Sequence, residues 1–248
     1  GDEGNHSGID HRRWAFESAA LDLGLRQAGL SLGEALGREA RPVRFVASTR
    51  ADVEPYLALN PELEFKLDVE QDWDRPLMER LAALDRVRVL DLKAYYRGTS
   101  VDLVPDPEQY RAVAEIFPEV VIEDAWLEDG CREALDGAEA RLSFDAPVHS
   151  LANLDALSLA PRWLNVKPSR FGTVRGLVEC IDACEARGIR MYGGGQYELG
   201  PGRLQIQRLA GLFYPDGPND VAPSAYNEGG ARPGLPESPL PEPDGPGL

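Results

Sequence analysis

Hydrophobic and polar positions in this chain follow two different periods in turn. Residues 13–29 carry Trp14, Phe16, Ala19, Ala20, Leu23 and Ala28 at helical spacing, and Gly29 ends the run. The stretch "SLGEALG" predicts a further short helix. From residue 43 a rhythm begins. Short runs of strand character fall at 43–48, 64–70, 87–96, 119–125, 141–146, 163–169, 189–195 and 219–226. Between them lie segments of helical period: "RPLMERLAAL", "PEQYRAVAEIF" with Pro107 near its start, "DGCREALDG", "SLANLDAL", "VRGLVECIDACEARG" stopped by Gly188, and "GRLQIQRLAGLF". "DVEPYLALNP" reads as a connection. Eight strands alternating with mostly helical connections predict a parallel sheet, and the number eight points to a closed α/β barrel of the TIM type.

The ends of the chain differ from this middle. Residues 1–12 are largely polar and read as a loop or linker, and 13–227 form the barrel domain. Residues 228–248 are rich in Pro and Gly and read as an extended or loosely ordered tail. The chain has 248 residues, 43% of them hydrophobic, enough for one sizeable core, and a net charge of −16. That acidity repels phosphate backbones and anionic lipid, so neither nucleic acid nor membrane is expected as a partner. No apolar run approaches the roughly 18 residues a membrane span needs. The cysteines, Cys131, Cys180 and Cys184, are odd in number and form no CxxC pair, which speaks against a disulfide framework or a zinc ribbon. A reducing, cytoplasmic setting is the expectation, with assembly into a homo-oligomer left open.

The informative departure from plain patterning lies at the strand ends. Lys66 and Asp68, Asp91 and Lys93, Glu123 and Asp124, Asp145, and Lys167 close five consecutive strands that are otherwise Val, Ile, Leu and Phe. A glycine turn, "YGGGQYELG", with Glu198, follows the seventh strand. In parallel barrels the C-terminal strand ends carry the chemistry. Three successive strands offering Asp, Glu and Asp supply hard oxygen ligands suited to Mg²⁺. The alternative is an ion network in which these carboxylates pair with Lys66, Lys93, Lys167 and nearby arginines.

These motifs, in this order, resemble the barrel domain of the enolase superfamily, nearest to its mandelate racemase and muconate lactonizing enzyme (muconate-cycloisomerase-like) branch. The matching stretches are "RWAFESAALDLGLRQAGLSLGEALG", "FKLD", "LDLK", "IEDA", "SFDA", "LNVKPSRFG", "GGGQYELGPG" and "LAGLFYPDGPNDVAP". The resemblance implies a modified (β/α)7β barrel with Mg²⁺, or Mn²⁺, bound by Asp91, Glu123 and Asp145. It implies an isomerase or lyase that abstracts the proton alpha to a carboxylate, giving a metal-stabilised enolate. The outcome would be racemisation, cycloisomerisation or elimination. Lys167, Lys93 and Lys66 would be the catalytic lysines, and Asp68, Glu198 and Tyr95 would face a small carboxylate substrate. The N-terminal capping domain usual in that superfamily is largely missing from the sequence given.

Two positions depart from the superfamily pattern. Strand two usually ends Lys-x-Lys and here reads Lys66-Leu67-Asp68; strand three usually reads Asp-x-Asn and here reads Asp91-Leu92-Lys93. Either Lys93 replaces the missing lysine from the next strand, or Asp68 and Lys93 form an ion pair that plugs the site. Two other functions remain: a different metal-assisted barrel lyase or hydrolase, and a catalytically impaired barrel used for binding or assembly, which Asp68 favours.

Overall fold

The computed structural model describes residues 3–50, 52–99 and 103–248, with side chains from residue 8 onward in the first helix. Seven parallel strands follow one another in a single sheet: β1 (Ala47–Thr49), β2 (Phe65–Asp68), β3 (Val87–Asp91), β4 (Val121–Glu123), β5 (Leu142–Phe144), β6 (Trp163–Val166) and β7 (Arg190–Gly193). Helices α1 (Glu3–Ala28) and α2 (Leu32–Leu36) precede the sheet. The connecting helices are α3 (Glu54–Leu59), α4 (Arg75–Ala83), α5 (Pro107–Ile116), α6 (Cys131–Ala134), α7 (Leu151–Ala156) and α8 (Val174–Arg187), and α9 (Pro201–Phe213) follows β7.

Local chemistry accounts for most of these boundaries. Ser31 and Glu34 form a reciprocal capping box at α2. Asp106 caps α5, whose first residue is Pro107. Thr173 caps α8, and Gly188 in the left-handed conformation ends it. Leu177, Cys180, Ile181 and Cys184 form the buried stripe of α8, so these two cysteines are core residues, as is Cys131. The main core lies between the sheet and the helices, and Val89, Val121 and Tyr192 form a second cluster with Trp163 against it.

The strand register prepares the site. Asp68 pairs with Asp91, Asp91 with Glu123, and Glu123 with Ser143, so one row of acids crosses the C-terminal ends of β2, β3 and β4. Side chains two apart share a face, which sets Lys66 beside Asp68, and Asn165 beside Lys167.

Three expectations change, and one connection gains a helix. Residues 3–12 are helical, because the polar start of α1 docks on the 3-10 turn Pro168–Phe171, where Asp10 stands where a Cβ on Gly172 would be; tertiary packing outweighs weak propensity. The connection after β1 contains α3, started by Pro55 in its first turn. The eighth strand is reduced to two single-residue bridges, Phe45 with Asn219 and Gly194 with Asp220. Asn219 secures this closure: its Oδ1 accepts from the Gly193 N–H, and its Nδ2 donates to the Arg44, Tyr214 and Gly217 carbonyls. Finally, the tail is anchored. Leu240 pairs with Val43, Gly247 with Ser31, and Leu248 is buried.

Candidate active site

β2 to β6 deliver their terminal polar side chains into one cluster at the barrel mouth. Lys66 is its centre. Its ammonium lies 2.5 Å from Glu123 Oε1, 3.2 Å from Asp91 Oδ2 and 3.8 Å from Asp220 Oδ2, and is 98% buried. Lys93 bonds Asp91 Oδ2 at 2.5 Å and Asp68 Oδ1 at 3.2 Å, and its own backbone N–H donates to Asp91 Oδ1. The Asp68–Lys93 ion pair is therefore formed, with Arg50 on the other Asp68 oxygen at 2.8 Å. Lys167 lies 2.7 Å from Asp145 Oδ2, and Arg170 lies 2.6 Å from Asp145 Oδ1. Glu123 also accepts from the Tyr192 hydroxyl and from Asn165 Nδ2.

The protonation pattern follows from burial set against these cations. Burial works to raise the Asp145 carboxyl, but Arg170 and Lys167 outweigh it and hold it down at about 2. Burial likewise opposes charge on Asp91, and Lys66 with Lys93 overcome it, so Asp91 stays well below the ordinary carboxylate range. Glu123 goes the other way. Burial, with Asp91 and Asp145 close by, pushes it up to about 7 in spite of Lys66. Asp124 is raised by burial and by the same two aspartates, while it accepts the backbone N–H groups of Asp145 and Ala146. Burial disfavours a charged Lys93, but Asp91 and Asp68 more than compensate and hold it as an ammonium. Lys93 (φ 50°) and Asp124 (φ 53°) both occupy the left-handed region, the local strain expected where side chains are aimed for chemistry.

A cavity of about 420 Å³ opens over this cluster, lined among others by Arg50, Lys66, Asp68, Lys93, Tyr96 and Lys167. The structure thus brings Lys66, Lys93, Lys167 and Asp68 to one space, above Asp91, Glu123 and Asp145. Tyr95 is elsewhere: its ring packs edge-on against Trp126. Its neighbour Tyr96 takes the mouth position, its hydroxyl bonded to Asp145 and Arg170. Glu198 lines an adjoining cavity of about 430 Å³, bonded by Ser169 Oγ and by the Gln196 N–H. Sequence patterning did not point to Arg170, Tyr192, Asp220 or Arg203. Arg170 sits in a 3-10 turn and Asp220 in a one-residue bridge, where no periodicity marks them; Tyr192 looked like an ordinary strand aromatic.

Asp91, Glu123 and Asp124 each present an oxygen within 4.8 Å of the others, all buried. Asp145 is outside that group, with both oxygens on cations. The carboxylate set fits a hard divalent cation.

Solved structures of enolase-superfamily members share this fold. The L-Ala-D/L-Glu epimerase from Bacillus subtilis, in a substrate-liganded complex, superposes with a TM-score of 0.66 at 16% identity, over 94% of this chain and 70% of its own. A dipeptide epimerase from Methylococcus capsulatus complexed with Mg gives 0.61 at 20%, over 80% and 61%. An enolase-superfamily member from Listeria innocua gives 0.62 at 18%, over 86% and 57%. This chain thus spans about three-fifths of the length of the last two. Residues 39–228 match the C-terminal domain, and residues 3–35 the N-terminal domain, of DUF8230, a domain of unknown function, and the chain belongs to that family. No curated protein matches the sequence.

Proposed function

We propose that this chain is the barrel domain of an enzyme that removes the proton alpha to a carboxylate. One observation carries the reading: Lys93 and Lys167, from strands three apart, line the same cavity directly over a buried carboxylate cluster. A carbon acid beside a carboxylate is weak because deprotonation places a second negative charge on an anion. Mg²⁺ or Mn²⁺, held by Asp91 and Glu123 with Asp124 or Asp145 as the third ligand, would supply the positive charge that offsets it.

The protein groups divide the remaining work. Lys167 reaches the cavity from β6 and serves as the base. Lys93 is fixed as an ammonium between Asp91 and Asp68, so it attracts the substrate carboxylate and can return a proton from the other wall. Lys66, buried beneath them, pairs with Asp91 and Glu123 and fixes the two carboxylates side by side. A racemase needs a free base on each face of the substrate. Lys93 faces two aspartates and Lys167 one; the more heavily paired Lys93 is the poorer base, so the site favours a one-base outcome, elimination or cycloisomerisation, over racemisation.

Exchange of the α-hydrogen for deuterium, followed by NMR across a panel of carboxylates with Mg²⁺ present, tests this. Wild-type protein should exchange at least one member, and Lys167→Ala should abolish exchange while keeping the native circular dichroism spectrum. Full exchange in Lys167→Ala removes that residue from the chemistry. The pairing of Lys93 with two aspartates favours a second reading, a barrel that binds carboxylates without turning them over. Saturable binding without exchange by any panel member would establish it.

A further inference from the structure

Arg203, in the first turn of α9, differs from every other cation lining the cavity. Arg50 pairs with Asp68, Lys66 with Glu123, Lys93 with Asp91 and Lys167 with Asp145, each within 2.8 Å. Arg203 is 92% buried, lines the same cavity, and has no hydrogen bond or ion pair among the described residues; its Nε is buried and unpartnered. Of the nearby acids, Glu198 is bonded by Ser169 and the Gln196 N–H, and Asp220, 3.8 Å from Lys66, lies within electrostatic reach of Arg203 but makes no hydrogen bond or ion pair with it. A chain with 42 acidic residues against 26 basic ones has no shortage of partners. A buried guanidinium left without one is costly unless something outside the chain satisfies it.

The glycine turn after β7 sets where that something lies. A Cβ on Gly194 would stand 2.5 Å from Asn165 Oδ1 and 3.0 Å from Lys167 Cε; a Cβ on Gly195 would stand 2.5 Å from Glu198 Oε2 and 3.6 Å from Arg203 Nη1. Successive Cα atoms are about 3.8 Å apart. Lys167 and Arg203 therefore flank neighbouring residues of one turn, and the absence of side chains there lets both approach the cavity. A molecule placed with its α-carbon at Lys167 has a second cation within reach of a short chain.

We infer that Arg203 is the subsite for a second carboxylate, which makes the substrate of this site a short dicarboxylate. The inference rests on the proton-removal reading for the placement of the first carboxylate. A planar guanidinium meets a carboxylate through two parallel hydrogen bonds, so it distinguishes a dicarboxylate from a monocarboxylate of equal length.

Calorimetric titration of succinate and glutarate against butyrate and valerate, in Mg²⁺-containing buffer, tests it on wild type, Arg203→Gln and Arg203→Lys. The dicarboxylates should bind wild type at least about tenfold tighter than their length-matched monocarboxylates. That ratio should fall to about one in Arg203→Gln and lie between in Arg203→Lys, which keeps the charge but not the fork. The thermal midpoint of Arg203→Gln should not drop, because an unpaired buried charge has been removed; a purely structural arginine would lower it. A wild-type ratio near one, a ratio unchanged in Arg203→Gln, or no binding at all overturns the inference. Dicarboxylate binding through Arg203 with no α-exchange would leave the subsite standing and remove the proton-removal reading. Exchange of monocarboxylates with a binding ratio of one would do the reverse.

Discussion

Replacing Lys66 by methionine keeps most of the side-chain volume and deletes the charge at the centre of the cluster. Lys66 faces Glu123 at 2.5 Å and Asp91 at 3.2 Å, with both acids fully buried. Asp91 retains Lys93 as a partner, whereas Glu123 retains only Tyr192 and Asn165. Removing one member of a buried ion pair costs about 3–5 kcal/mol, or roughly 6–20 °C in Tm for a domain of this size.

The loss should depend on pH, and its sign can be worked out. Glu123 has its carboxyl raised from an ordinary 4.5 to about 7, so the folded protein binds that proton more tightly than the unfolded chain. The associated stability is fully present below 4.5 and is lost as pH climbs through about 7, a swing of about 3 kcal/mol. Lys66 is the main charge holding that value down. Without it the decline continues above pH 7, so the gap between variant and wild type should be small at pH 5 and largest at pH 8.5. Added Mg²⁺ should narrow the gap at pH 8.5 by neutralising the same carboxylates. Thermal unfolding followed by circular dichroism at the two pH values measures it. A gap that stays constant or shrinks as pH rises would refute the reasoning.

Two further substitutions probe the site. Asp68→Asn takes away one of the two anions that hold Lys93 charged; its proton affinity should fall, moving the basic limb of the exchange pH profile to lower pH, and an unmoved limb would make the pair a structural one. Gly194→Ala sets a Cβ 2.5 Å from Asn165 Oδ1 and 3.0 Å from Lys167 Cε; it should cost about 1–3 kcal/mol in denaturant unfolding and reduce α-exchange at least about tenfold.

The barrel was readable because its strands advertise themselves. Asp91 and Lys93 stand two apart in a run of Val and Leu, and only a strand with a polar end does that. The row Asp68, Asp91 and Glu123 then follows from parallel register alone. What patterning could not supply was anything made of one or two residues. Asn219 and Asp220 close the barrel through single bridges and leave no alternation to detect. Arg170 turns back to Asp145 from a 3-10 turn, and its direction is a matter of tertiary packing. The choice between Tyr95 and Tyr96 at the mouth was equally hidden, since adjacent residues differ only in which way the chain turns. Which cation meets which carboxylate depends on competition among many charges in a small dry volume, and residue order does not encode it.

Asn219 has a consequence for how the chain reaches this state. It joins the segment before β1 to the end of β7 across 175 residues, through its bond to the Arg44 carbonyl. During synthesis every strand from β2 to β7 can pair with its predecessor as it emerges, but the ring cannot shut until residue 219 arrives. Until then β1 and β7 each keep one open edge, the feature that templates pairing between chains. The closing step spans 175 residues, so its loop-closure entropy is large and comes due late; the tail contacts, such as Leu248 with Asp22 across 226 residues, follow it. A nascent or refolding chain should therefore dwell as an open, edge-exposed sheet, and substitutions at Asn219 should act on that dwell time, and on aggregation during it, before they act on the finished barrel.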